Sequence, residues 1–139
     1  MEWCIMMKAG TYYVGDLCYV MHEDWDEVCA LTINGNRAIG GEFNLKDGRR
    51  FAIYNTMYGD GTYHDQYNNE YWVDSGSIGC ILLDDIKLSN MQNNLKGGAI
   101  HKFDTSFYTG EMDGKIMFHK VSIDTDDVLE EEEYEPYGE

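Results

Sequence analysis

A chain of 139 residues is long enough to form one hydrophobic core without disulfide or metal staples. Its formal charge of −16 argues against direct nucleic-acid binding, where lysine and arginine neutralise backbone phosphates. Much of that charge is local: Asp124 to Glu139 holds nine acids and no base, which leaves −7 on the rest of the chain.

The opening MEWCIMMKAG has an acid at position 2 and an apolar run too short for a secretory leader. No stretch reaches membrane-spanning length. Cys4, Cys18, Cys29 and Cys80 form no C-x-x-C pair. A cytoplasmic protein with reduced thiols and no membrane contact is therefore expected. GTYYVGDLCYVM (10–21), rich in Tyr and Val, reads as a strand. In HEDWDEVCALTI (22–33), Trp25, Val28 and Cys29 fall at i, i+3 and i+4, with acids in the first turn. This predicts the one short helix, near residues 24–32, with Asp24 as its N-cap.

GEFNLKDGRRFAIYNT (41–56) reads as a hairpin around Asp47-Gly48. A three-residue loop, Asp47 to Arg49, pairs Leu45 with Phe51 and Phe43 with Ile53, and puts all four on one apolar face. TYHDQYNNEYWVD (62–74) reads as a second hairpin turning at Asn68-Asn69, where asparagine tolerates the left-handed region. SIGCILLDDI (77–86) is a buried strand running into a turn, and residues 98–124 hold at least two more strands with a turn at Asp113-Gly114. The expected fold is mainly β, a β-sandwich or small barrel of antiparallel hairpins with that one helix. Residues 1–125 form the β-rich domain, and residues 126–139 are an acidic, disordered tail too charged to fold alone. Tyr134 and Tyr137 are its candidate anchors for a basic partner.

Chemistry concentrates where aspartate meets glycine: Gly15-Asp16, Gly59-Asp60 and Asp74-Ser75-Gly76. If these turns meet, Asp16, Asp60 and Asp74, with Tyr58, Tyr63 and Ser75, form a candidate ligand site framed also by Tyr19. Clustered carboxylates suit Ca²⁺, Mg²⁺ or acid–base work, but aspartates in turns more often bond nearby backbone N–H groups. The EF-hand pattern fails from Asp60, with Asp65 at its glycine position and Tyr71 at its glutamate position. His22, His64, His101 and His119 show neither i, i+4 spacing nor H-E-x-x-H. No metal ligand is assigned and no cofactor is expected. Cys18 with His22 or His64 could be drawn as a nucleophile pair, but a cysteine in a strand-like run reads as core. The glycines match neither a P-loop nor a dinucleotide fingerprint, and VDSGSIG is not a nucleophile elbow.

YYVGDLCYV (12–20), YGDGTY (58–63) and VDSGSIG (73–79), in that order, resemble a family of small, uncharacterised proteins of bacteria, phages and large DNA viruses. VSIDT (121–125) is similar too, so the resemblance spans Gly10 to Thr125 and omits the tail. Leu17 stands where the family has proline. The resemblance implies a shared fold and a viral or phage setting, and it supplies no reaction. The expected function is a non-enzymatic binding module for a small-molecule ligand or a basic protein partner. The alternative is a metal-assisted or acid–base hydrolase using the same aspartates.

Overall fold

Alternating burial builds the protein around one central sheet. The computed structural model describes residues 6–35, 37–87 and 97–127. The strands are β1 (Gly10–Gly15), β2 (Ile33–Asn34), β3 (Arg37–Ala38), β4 (Gly41–Asn44), β5 (Arg50–Asn55) and β6 (Gly61–His64). They continue as β7 (Glu70–Val73), β8 (Ser77–Leu82), β9 (Ala99–Phe103), β10 (Thr109–Met112), β11 (Lys115–Phe118) and β12 (Val121–Asp124). Among the described residues the one α-helix is α1 (Trp25–Thr32). The fold is mainly β, as the sequence predicts, and among the described residues every strand pairing is antiparallel.

The central sheet runs β4-β5-β8-β1-β9. Tyr12, Val14, Ala52, Ile78, Cys80 and Phe103 line one face. They pack on Tyr63, Tyr71, Ile116, Phe118 and Ile123 from the β6–β7 hairpin and the β10-β11-β12 sheet. An isolated bridge between Asp65 and Ile123 joins those two pieces into a second layer. Tyr13, Phe51, Ile53 and Ile81 line the other face, covered by Leu17, Val20, Met21 and Val28 from α1 and the turns before it. Being covered on both sides, β8 is buried along nearly its whole length and reads as a continuous apolar run. Gly79 within it is dictated by packing, since a Cβ there would sit 2.2 Å from the Ala52 carbonyl oxygen.

Several local expectations change. The strand over 10–21 stops at Gly15, because the Asp16 carboxylate takes the Cys18 N–H and turns Leu17–Tyr19 into a 3-10 helix. Asp24 precedes α1 but makes no side-chain cap bond, since its carboxylate is committed to Arg49 at 3.0 Å. In the β4–β5 hairpin Phe43 faces Phe51, not Ile53, and Leu45 N–H bonds the Arg49 carbonyl at 2.8 Å. The loop has the expected three residues, but they are Lys46 to Gly48, because Gly48 takes the left-handed position at φ 98°. The shared apolar face of Phe43, Leu45, Phe51 and Ile53 survives this shift. The second hairpin repeats the pattern one residue earlier than expected: Gln66 to Asn68 form its loop, with Asn68 at φ 72°. Asp113 and Gly114 (φ 54° and 90°) make the two-residue turn between β10 and β11. Residues 98–124 supply four strands. The acidic tail was expected from residue 126, but Asp126 and Asp127 belong to a 3-10 turn over Thr125–Asp127, with Asp126 bonded to Tyr58; residues 128–139 and Cys4 lie outside the described residues. Cys18, Cys29 and Cys80 are free thiols. Among the described residues no helix is long and apolar enough to cross a membrane.

Candidate functional site

The three aspartate–glycine turns meet at one end of the central sheet, and Asp16 is their joint. It is fully buried. Its carboxylate accepts the N–H groups of Cys18 (3.0 Å), Asp74 (2.7 Å) and Ser75 (2.7 Å), and the Ser75 hydroxyl at 2.8 Å. Four donors fill the acceptor capacity of a carboxylate. Ser75 Oγ also lies 2.8 Å from Ser77 Oγ. Thr56 ties in the third turn: its N–H bonds the Gly76 carbonyl at 3.0 Å, and its hydroxyl both donates to the Gly59 carbonyl and accepts the Gly59 N–H.

The remaining candidates divide between support and display. Tyr63 is buried and its hydroxyl bonds the Gly59 carbonyl at 2.8 Å. Tyr58 is exposed and donates to Asp126 at 2.8 Å. Asp74 presents its carboxylate at the surface, where the Tyr19 hydroxyl donates to it at 2.5 Å. Burial and that bond push the Tyr19 hydroxyl well above its ordinary range. Asp60 is exposed, and among the described residues it makes no hydrogen bond or ion pair. The β6–β7 register pairs Thr62 with Trp72 and ends at Gly61 opposite Val73; Asp60 and Asp74 are the next residues, in the bends beyond the ladder. Both acids are exposed, as is Trp72 at 45%. Gly97 lies between the rings of Tyr19 and Trp72; a Cβ on it would come within 3.2 and 3.3 Å of them.

Tyr19 and Trp72 therefore belong with the six residues singled out by sequence. The signal for Trp72 was its strand position, two residues before Asp74. Among the described residues no three of His, Cys, Asp and Glu are placed to hold a metal ion. Burial pushes the Cys18 thiol up, and its bond to Asp16 and the charges of Asp16, Asp74 and Asp60 push the same way, so it stays protonated. The Tyr13 hydroxyl, also near Asp16, is buried with no hydrogen-bond partner.

Sequence reasoning missed a second polar network entirely. Asp65 closes the β6–β7 loop by accepting the N–H groups of Tyr67 and Asn69. It also takes the Tyr71 hydroxyl at 2.6 Å, which in turn lies 2.9 Å from His101 Nε2. The visible signal was an aspartate four residues before an asparagine at a hairpin tip. The His101 partnership crosses between layers and has no sequence signature. In comparisons with known proteins, no family model, curated protein or solved structure matches the chain.

Proposed function

We propose that the protein is a binding module that receives a basic segment of a partner protein on the Asp60–Trp72–Asp74 face. One observation carries this reading. Two exposed carboxylates, Asp60 and Asp74, directly follow the last rung of the β6–β7 hairpin, which also carries an exposed indole. Like charges gathered at one end of a hairpin repel each other. A lysine or arginine seated between them would relieve that repulsion and stack on Trp72. Asp16 and Tyr63 hold the rim in place, and Ser75 and Tyr19 fix the orientation of the Asp74 segment. The chain charge of −16 would steer such a partner in.

The hydrolase reading has less support. The oxygens of Asp16 are already filled by N–H and O–H donors. The family resemblance adds a viral or phage setting to the proposal and no reaction. Titration with a lysine- and arginine-rich peptide tests it. Binding should weaken steeply with salt, and the Asp60→Asn, Asp74→Asn double variant should bind about tenfold more weakly while melting no lower than the parent. Undiminished binding by the double variant would sink the proposal.

A further inference from the structure

Charged side chains gather at the opposite end of the central sheet. A cavity of about 430 Å³ lies there between the approach to β1, the β4–β5 loop and the turn after β8. Lys8, Arg49 and Arg50 line it, three of only ten basic residues in the chain, together with Asp47 and Asp85. Most of this charge is matched within the protein. Arg49 pairs with Asp24 at 3.0 Å and Asp47 at 2.9 Å, and donates to the Asp85 backbone carbonyl at 3.2 Å. Arg50 pairs with Glu42 at 2.8 Å and bonds Asn44 at 3.2 Å.

Two side-chain charges are left over. Among the described residues the Lys8 ammonium and the Asp85 carboxyl make no hydrogen bond or ion pair, either with each other or with a third group. They are close enough to influence one another: burial raises the Asp85 carboxyl above its ordinary value, while Lys8 and Arg49 oppose the rise. Arg50 Nε, buried without an acceptor, is not itself accessible to a ligand. Leu82, Met6 and the Tyr12 ring supply apolar surface. A lone anion drawn to Lys8 would meet the Asp85 carboxylate beside it, and a lone amine drawn to Asp85 would meet Lys8. A ligand carrying both signs satisfies both. The volume falls within the range of small-molecule sites.

We infer that this cavity binds a small zwitterion of the amino-acid type, with its carboxylate on Lys8, its ammonium on Asp85 and its side chain against Leu82 and Met6. The site is separate from the acidic face and stands or falls without it.

Calorimetric titration of the full chain with the common L-amino acids, their N-acetyl and carboxamide derivatives, acetate and inorganic phosphate tests the assignment. At least one free amino acid should bind one to one. Its N-acetyl and carboxamide forms, each lacking one charge, should bind at least about tenfold more weakly. Lys8→Met and Asp85→Asn should each weaken binding by a similar factor, whereas the Asp60, Asp74 double variant should leave it unchanged. Lys8 is exposed and makes no side-chain bond, so Lys8→Met tests the site even if Asp85→Asn fails to fold. Absence of binding by every amino acid would overturn the inference. So would equal binding of the derivatives, of acetate or of phosphate, or undiminished binding by Lys8→Met.

Discussion

Two buried carboxylates show how one residue type serves different ends. Asp16 stitches three chain segments and has no exposure. Asp16→Ala strands two consecutive N–H groups at the 74–75 turn, and urea unfolding should show a loss of about 3 kcal/mol. Asp74→Asn, on the rim, should change stability by less than about 0.5 kcal/mol. Asp65 is the second case. Burial works against its charge, but bonds from Tyr71, Asn69 and the Tyr67 N–H win and hold it below 3.8. Burial also holds His101 below 6.5, against the pull of Asp65. A histidine with a depressed folded pKa binds fewer protons than in the unfolded chain. Stability is therefore greatest above pH 6.5 and falls as pH drops through that value. The depressed carboxyls of Asp65 and Asp24 add a further loss below pH 3.8, as folded-state protonation breaks their bonds. Thermal melts across pH should show both stages, and His101→Gln should remove the upper one only.

At the scale of elements, packing constraints dominate. Gly79→Ala forces a methyl group onto the Ala52 carbonyl oxygen and the Leu17 side chain, and should cost about 3 kcal/mol in denaturant unfolding. Nothing in SIGCILL announces this, because the obstacle belongs to the neighbouring strand and to the Asp16 turn. Strand identity was legible wherever one face is buried, since alternation names the face: Phe43, Leu45, Phe51 and Ile53 were grouped correctly. Their rung-by-rung pairing was not, because it depends on which residue takes the left-handed turn position. Both Gly48 and Asn68 take it as the third loop residue. The Asp113-Gly114 turn was legible because a two-residue type I′ turn demands that dipeptide chemistry. The strand over 10–21 was overextended because Asp16 acts on the backbone through a side-chain bond that apolar patterning does not encode.

For the whole molecule, charge was readable and convergence was not. The sequence shows aspartates next to or near glycine at 15–16, 59–60 and 74–76, but only the fold brings these three turns to one end. The same order places Lys8 and Asp85 at the other end, a pairing with no local signal. Sheet order also has a consequence in time. The partners of β1 are β8 and β9, which begin 67 and 89 residues after its first residue, at Ser77 and Ala99. Pairings this distant must close large loops before they gain anything, so refolding from denaturant should take milliseconds to seconds. On the ribosome β1 emerges before either neighbour has been made. A stalled chain ending at residue 98 should remain protease-sensitive, because its apolar Tyr12-Tyr13-Val14 run still lacks a partner on one side. A buried strand made early thus waits for residues 77–103 before both of its edges are paired, and meanwhile stands in the open.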